Sequence, residues 1–328
     1  MIEMESKQET KTPKVAVVVL NWNGWQDTIE CLESLLKLSY PSYQVIVVDN
    51  GSSDGSVEKI RVWVKEKCPS LALIETKKNL GYAGGNNIGI RYALVRGDFD
   101  YVWVLNNDTV VHPDALTHLV RRMKEKPDAG MCGSTILYHH DPKKVWAQGA
   151  VYNKWYAEGR HLNSDKIFDP KRMAKYQELE RRMDYVVGAS MLVSLPFLRD
   201  IGLMCEDYFL FFEELDWAMR ARGKYRLALA PESIVYHKVG VSIEKKEAEK
   251  TKKKRRFNLT MDYYGTKNRL AFTLKFFPYA LPVLYLSILG YVLDRLRVGA
   301  WENVWVIIKV TLGHFNKSLD RADHSFPI

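Results

Sequence analysis

The sequence predicts an α/β protein built on a parallel, doubly wound sheet. Short runs of Val, Ile and Leu recur along the first third of the chain, segments with apolar residues at helical spacing separate them, and polar clusters follow most of them. This alternation is typical of βαβ units. With 328 residues and 47% hydrophobic content, the chain is expected to hold one large or two ordinary domains with an ample core.

The expected strands are near-continuous apolar runs, which are typical of strands buried on both faces. They are Val15–Leu20, Val45–Val48, Leu71–Ile74 and Tyr101–Leu105. Helices are expected between them, where apolar residues lie three or four positions apart. These helices should follow Gly24, Ser56, the glycine-rich segment at Gly81–Gly85, and Pro113, since proline suits a first helical turn.

Beyond Gly130 the alternation becomes less regular. Shorter strands, a charged region from about Asn153 to Arg182 and the small residues Gly188–Ser190 predict a second half with an inserted loop or helix. Two late strands are expected, at Leu227–Ala230 and Ile234–His237.

Composition and charge narrow the possible classes. Charged residues make up 27% of the chain, which argues against a protein with many membrane spans. The four cysteines are scattered, which disfavours a zinc site or a disulfide framework and suits a reducing cytosol. The polar stretch Met1–Lys14 does not resemble a secretory signal, so we expect a cytoplasmic protein.

The C-terminal part is different in character. A basic block at Lys245–Arg256 precedes 18 uncharged residues, Phe276–Leu293, which is the lower limit for a transmembrane helix. Positive charge flanks both ends, and both ends therefore prefer the cytosolic face. We expect an interfacial or re-entrant hairpin with Trp301–Ile308 as its second arm; a buried core or oligomer interface and a true span are the alternatives. The predicted units are a polar tail (1–13), an α/β domain (14–244) and a membrane-associating helical extension (245–328).

The candidate site lies where the strands end. Asn21–Gly24, Asp49–Ser56 and Asn106–Asp108 each follow an apolar run, and a fourth, acidic cluster follows Phe212. In open α/β sheets the ligand crevice lies beyond the carboxyl ends of the strands, although each cluster alone is equally compatible with a turn. Backbone N–H groups of Gly81–Gly85 could approach a diphosphate or a sugar. No P-loop and no G-x-G-x-x-G motif follows the first strand, which disfavours kinase-like and NAD-dependent activities.

Five motifs in order make the sequence recognisable: V-V-V-L-N-W-N-G, V-V-D-N-G-S-S-D-G-S, N-L-G-Y-A-G-G-N-N-I-G, L-N-N-D-T and F-F-E-E-L-D-W-A-M-R. Over about residues 14–242 the chain resembles family 2 glycosyltransferases, especially rhamnosyltransferase-like members. These are inverting enzymes with the GT-A fold, a Rossmann-like doubly wound mixed sheet.

The resemblance implies a donor site for a UDP- or dTDP-sugar. Asp49 matches the carboxylate that holds the nucleotide, while Asn21 and Asn23 match the loop around the base. Asn106 stands where the family's D-x-D motif has its first carboxylate, so it adds no charge. The remaining donor-site candidates are Asn50, Ser52, Asn79, Gly81, Gly84, Asn86 and Asn107.

Asp108 and His237 match positions that would hold Mg²⁺ or Mn²⁺. Hard divalent cations favour oxygen ligands and bind substrate phosphates through one or two carboxylates. The acidic group Glu213, Glu214 and Asp216 matches the catalytic motif, with Glu214 expected as the general base.

The expected reaction is inverting transfer of a sugar to a glycan or lipid-linked acceptor, in cell-surface polysaccharide assembly at the cytosolic face of the membrane. A sugar-phosphate nucleotidyltransferase and a non-catalytic carbohydrate- or lipid-binding protein are the alternatives. Nucleic-acid binding is not expected, because the basic block adjoins an apolar segment and no nucleic-acid motif is present.

Overall fold

The computed structural model describes residues 12–238 and 257–313. Its strands are β1 (Val15–Asn21), β2 (Tyr43–Asp49), β3 (Ala72–Glu75), β4 (Tyr101–Asn106), β5 (Thr109–Val111), β6 (Ala129–Tyr138), β7 (Val145–Ala147), β8 (Ala150–Asn153), β9 (Glu158–His161), β10 (Ser190–Ser194) and β11 (Arg226–His237). Nine of them form one mixed sheet in the order β3-β2-β1-β4-β10-β6-β11-β5, with β7 paired to β6. The sheet is therefore mixed rather than wholly parallel.

The first half of the sheet is parallel and puts three polar strand ends at one edge. Strand β1 pairs in parallel with β2 and β4, so that Asn21 lies opposite Asp49 and Leu20 lies opposite Asn106. Strand β10 runs antiparallel to β4 and β6, and β11 returns parallel to β6. Because β1 lies between β2 and β4, the expected donor-site residues Asn21, Asp49 and Asn106 share one edge of the sheet.

Helices cover both faces of the sheet. They are α1 (Trp25–Leu35), α2 (Ser56–Lys67), α3 (Gly81–Arg96), α4 (Ala115–Glu125), α5 (Met173–Gln177), α6 (Leu195–Ile201), α7 (Glu213–Ala221), α8 (Leu259–Phe276), α9 (Leu281–Arg297) and α10 (Trp301–Gly313). Alternate residues of β1 belong to two different cores: Ala16 and Val18 pack on the side of α3 and α7, and Val17 packs on the side of α1 and α4. The side chains of a strand alternate between its two faces, which accounts for this division.

Two predictions for single elements are corrected by the structure. The two late strands are one strand, β11, with a register shift between Ala230 and Ile234. The segment Gly81–Gly85, considered as a phosphate-binding loop, forms the first turns of α3. Glycine is needed there for close packing, since a Cβ added at Gly85 would lie 2.4 Å from the Leu20 Cδ1.

The charged insertion at 153–182 contains ordered structure. It begins with the hairpin between β8 and β9 and continues into short helical turns around α5. Glu180 of these turns is paired with Arg122 of α4 and with Lys126, which follows the last residue of α4. These ion pairs hold the insertion against the α/β domain.

Helices α8, α9 and α10 pack together, and α8 also belongs to the α/β domain. Phe272 of α8 is fully buried in the same core as β1 and α7, so the expected boundary at residue 245 does not separate two independent cores. One helical stretch in the described part of the chain, Pro278–Arg297, has the length and composition to cross a membrane, and 28% of its apolar window is buried. The basic block Lys245–Arg256 lies outside the described residues, within 239–256.

Candidate active site

The ends of β1 and β2 are joined by a buried hydrogen-bond network. The Asn21 amide donates to the Asp49 carboxylate over 2.6 Å, and the Ser52 backbone N–H donates to the other carboxylate oxygen over 2.9 Å. Asn21 accepts a hydrogen bond from the Thr28 hydroxyl at the start of α1. Asp49 is 1% exposed, so these bonds fix its carboxylate at the strand end with free lone pairs for a further donor.

Two neighbouring amides shape the loop that leads into α3. Asn50 donates to the Asn79 side chain and to the Gly81 carbonyl, both over 3.0 Å. Asn79 accepts from the Gly81 N–H over 2.9 Å. Gly81 has a φ of +74° and its missing Cβ would lie 2.3 Å from the Phe209 carbonyl oxygen, so only glycine fits. These hydrogen bonds hold the loop that leads into α3 against the end of β2.

The remaining donor-site candidates differ in their surroundings. The Asn23 side chain accepts from the Ser53 N–H over 2.7 Å, which ties the first two loops together. Asn107 donates to the Thr28 hydroxyl over 3.0 Å, and the Asn106 backbone N–H donates to the Ala189 carbonyl over 3.1 Å. Asn86 is buried in α3 and donates to the Tyr82 carbonyl. A Cβ at Gly84 would collide with Leu80, which is a packing constraint within this helix.

The two expected metal ligands, from opposite halves of the sheet, lie in contact. The Asp108 carboxylate is 3.1 Å from the His237 Nε2, and both side chains are largely buried. The His237 Nδ1 is buried without a hydrogen-bond partner, and the ring packs on Trp146, which also contacts His161. Burial, together with the neighbouring His237 ring, lowers the pKa of His161.

Asp108 and His237 fit a divalent cation that also binds the substrate. Among the described residues, no group of three or more His, Cys, Asp or Glu side chains is arranged to hold a metal by itself. Two protein ligands suit a cation such as Mg²⁺, which keeps waters and completes its shell with substrate phosphate oxygens. The unpaired His237 nitrogen is a further polar atom that the protein alone leaves unsatisfied.

The acidic group at the start of α7 lies across from these residues. Glu214 lines a cavity of about 240 Å³ together with Tyr152, Gly159, His161, Tyr185, Phe211, Phe212 and Leu215. Burial raises the pKa of Glu214, while hydrogen bonds from its own backbone and from Gly188 act in the opposite direction. Burial and the charge of Glu214 raise the pKa of Glu213 well above its usual range. A carboxylate with a raised pKa beside a cavity is typical of a general base.

Tyr82 links the two halves of the site. Its hydroxyl donates to the Gly188 carbonyl over 2.7 Å. Burial raises its pKa, and the negative charges of Glu214, Glu213 and Asp108 act in the same direction. A Cβ at Gly188 would lie 3.1 Å from this hydroxyl and 3.4 Å from the Glu214 Oε1. Tyr82, Gly188 and Glu214 therefore lie next to one another.

Asp216 does not share this environment. It is fully buried, and its carboxylate is engaged by Arg220 over 2.6 Å, by the Tyr208 hydroxyl over 3.2 Å and by Lys275. The geometry assigns Asp216 a structural role, in place of the catalytic role expected from the sequence. Its oxygens are already used by protein donors, so it has no access to an acceptor hydroxyl.

Sequence reasoning missed several residues of this site. Tyr82, Thr28, His161 and Tyr185 reach it through tertiary packing, and no motif in the sequence marked His161, which lies in the insertion. Tyr82 lies inside a recognised motif, so its position could have been noticed. Its role could not, because the partner carbonyl is 106 residues away.

Comparison with known proteins identifies the family. The family description "Glycosyl transferase family 2" matches residues 16–188, which is more than half of the chain. The chain belongs to glycosyl transferase family 2. This confirms the resemblance drawn from the five motifs and the enzyme class predicted with it.

Two curated relatives and one solved structure are among the proteins it matches. The chain is 26% identical over 216 residues to the low-salt glycan biosynthesis hexosyltransferase Agl10 of Haloferax volcanii, covering 66% of this chain and 64% of that one. It is 26% identical over 208 residues to the poly-beta-1,6-N-acetyl-D-glucosamine synthase of Staphylococcus aureus, covering 62% of this chain and 45% of that one. The chain therefore spans less than two thirds of the length of these relatives.

The solved structure supports the fold. The mannosyltransferase PcManGT from Pyrobaculum calidifontis, in complex with GDP-Man and Mn²⁺, superposes with a TM-score of 0.55 at 17% identity, covering 94% of this chain and 89% of that one. The GT-A fold predicted from the sequence is confirmed.

Proposed function

We propose that this glycosyltransferase transfers a sugar, with inversion, from a nucleoside-diphosphate sugar to a hydroxyl of a glycan or lipid-linked acceptor. One observation carries the proposal: a short chain of ring contacts joins the Asp108–His237 pair to the cavity beside Glu214. The Trp146 ring packs on His237 and on His161, and His161 lines that cavity. Direct displacement requires a cation-binding group for the leaving diphosphate and a general base near the acceptor hydroxyl. The relatives described as a hexosyltransferase and a glycan synthase support the substrate class.

The donor is expected along the polar edge of β1, β2 and β4. Asp49 is fixed at the end of β2 with lone pairs free to accept an N–H from a uracil or thymine base. A divalent cation held by Asp108 and His237 would neutralise the charge of the diphosphate when it is bound. Binding of Mn²⁺ by the structural neighbour supports this assignment.

Glu214 is the proposed general base. As the acceptor oxygen attacks the anomeric carbon, its proton passes to the Glu214 carboxylate. The bond from that carbon to the nucleoside diphosphate breaks, and the diphosphate leaves with the electron pair. Attack from the opposite face inverts the configuration, and no enzyme nucleophile is needed. The aromatic cavity beside Glu214 would admit the acceptor.

Nucleotide-sugar turnover in the presence of Mg²⁺ or Mn²⁺ tests this proposal. Glu214→Gln should reduce kcat by about 10²- to 10⁴-fold, which is the usual contribution of base catalysis. Asp108→Ala should weaken the dependence on the cation, and chelation should abolish wild-type turnover until the cation is restored. Glu58→Gln, an exposed change on α2, serves as the control. Unchanged turnover in both site variants would rule out the mechanism.

We also propose that α9 and α10 lie on the cytosolic surface of an anionic membrane. Leu286, Leu289 and Leu293 form one exposed stripe of α9, and Trp301 and Trp305 of α10 are 68% and 66% exposed. Indole rings and basic side chains such as Arg297 and Lys309 suit the boundary between headgroups and acyl chains. This placement would bring a lipid-linked acceptor close to the cavity.

A further inference from the structure

The segment that leads into α7 has an unusual backbone. Phe209, Phe211 and Phe212 have φ values of 62°, 71° and 75°, in the left-handed region that side-chain-bearing residues rarely adopt. We call Tyr208–Phe212 the catalytic turn, since Glu213 and Glu214 follow it directly. Such a conformation persists only where the surrounding structure holds it in place. The contacts that hold this turn are therefore part of what positions the base.

One side chain of α8 donates hydrogen bonds to three carbonyls of this turn. The Asn268 Nδ2 lies 2.9 Å from the Tyr208 carbonyl oxygen, 2.7 Å from that of Leu210 and 3.2 Å from that of Phe211. Asn268 is fully buried. Three carbonyl acceptors identify the atom that faces the turn as the amide nitrogen. One buried amide thus spans the strained part of the turn.

Aromatic packing from α8 supports the same segment. The Tyr264 ring stacks on Phe209 at 4.9 Å between centroids, and Phe272 packs against Phe212 at 5.3 Å. Phe272 also contacts Tyr152, at 5.1 Å, so that it lies behind two walls of the cavity beside Glu214. Lys275 of α8 forms an ion pair with Asp216, which lies in the first turn of α7.

We propose that Asn268 is a positioning residue that fixes the catalytic turn and, through it, the Glu214 carboxylate, so that α8 is part of the catalytic apparatus. This inference rests on the proposed role of Glu214 as base. It gives the first helix of the C-terminal extension a function in catalysis that is separate from membrane attachment.

The test compares Asn268→Leu with Asn303→Leu in the full-length protein. Asn303 is a matched control: it is a buried asparagine of α10 that donates to Asp262 over 2.8 Å and does not contact the turn. Asn268→Leu should lower kcat by about 10- to 100-fold, because misplacing a catalytic group by about 1 Å can cost about 10²-fold. The donor dissociation constant should stay within about twofold of the wild-type value, since the donor edge is formed by the ends of β1, β2 and β4. Asn303→Leu should leave kcat within about twofold.

Two results would overturn the proposal. One is a folded Asn268→Leu protein with wild-type kcat, and the other is an equal loss of kcat in Asn303→Leu. If Asn268→Leu does not fold, Asn268→Ser, which keeps one hydrogen-bond donor, is judged by the same criteria with a smaller expected loss.

Hydrogen exchange separates this proposal from the proposed function. Amides of the catalytic turn should exchange faster in Asn268→Leu than in Asn303→Leu, whether or not the wild type turns over a donor. A wild type without turnover would refute the proposed function alone. Unchanged exchange in the turn would refute the positioning role of Asn268 alone.

Discussion

At the scale of single residues, Glu213 and Glu214 are adjacent in sequence but differ in their surroundings. Glu214 lines the cavity, whereas Glu213 is 1% exposed and its Oε1 has no hydrogen-bond partner. Burial raises the pKa of both carboxyls, and the charge of Glu214 raises the pKa of Glu213 further. The pair therefore holds a proton more readily than isolated carboxyls do. This leaves Glu214, the more accessible of the two, free to exchange its proton with a substrate.

This coupling predicts the pH dependence of stability. The folded-state pKa of Glu213 lies above the unfolded value. Its contribution to the free energy of unfolding is therefore fully present below the unfolded pKa and is lost as the pH rises through the folded pKa. In Glu213→Gln the side chain does not titrate, so this fall in stability with rising pH does not occur. Its melting temperature should therefore exceed that of the wild type at neutral and alkaline pH, with a gap that narrows toward the ordinary glutamate pKa of 4.5.

A matched control for this change is the exposed Glu33 of α1. Thermal melts of Glu33→Gln should follow the wild type across the same pH range. A Glu213→Gln protein whose advantage is constant with pH, or reversed, would contradict the assigned pKa direction.

At the scale of elements, α3 lies against β1 more closely than a helix with ordinary side chains could. A Cβ added at Gly89 would lie 2.5 Å and 3.0 Å from the two γ-carbons of Val18. Val18 is fully buried and stiff about χ1, so it has no room to move. Gly89→Ala should therefore destabilise the protein by about 1–3 kcal/mol, as overpacked cores do.

Gly265 provides the comparison for this prediction, because it is a helical glycine of α8 with nothing within 4 Å of its added Cβ. Gly265→Ala should be neutral or stabilising by up to about 1 kcal/mol, since alanine is the better helix former. Denaturant unfolding measures both changes. Equal effects of the two substitutions would show that helix propensity, and not contact with β1, governs α3.

The same helix shows what the sequence could and could not predict. The apolar runs of β1, β2 and β4 are continuous, so their positions follow from local pattern. The Gly81–Gly85 segment looked like a loop because glycine is common in turns. In the structure Gly85 lets α3 pack against Leu20 of β1, and Gly81 makes room for the Phe209 carbonyl. Both are long-range contacts without a local signal.

At the scale of the whole molecule, the site draws on parts of the chain that are distant in sequence. Asp49 and Asp108 could be placed at one edge from the order of the strands alone. The contact between Asp108 and His237 spans 129 residues, and it was expected only through the family resemblance. Asn268 was not expected at all, because the sequence assigned its helix to a separate membrane-associating extension. The extension both contacts the catalytic turn through α8 and exposes apolar side chains on α9 and α10.

This arrangement makes membrane binding and catalysis separable by mutation. The double change Trp301→Ser and Trp305→Ser should strongly reduce co-sedimentation with anionic vesicles, because it removes two exposed indoles from the proposed lipid-facing side. Turnover of a soluble acceptor should be unaffected, since both indoles are exposed on α10 whereas α8 holds the catalytic turn. Val62→Ser with Val95→Ser, which removes two exposed apolar side chains from α2 and α3, is the control and should bind vesicles as the wild type does.

Raising the salt concentration should weaken binding to anionic vesicles, because salt screens the attraction between the basic residues around the indoles and the lipid headgroups. The proposal would be contradicted if the tryptophan variant sedimented with vesicles as the wild type does, or if it lost a dimer instead of vesicle binding. Either result would place the exposed face inside an oligomer.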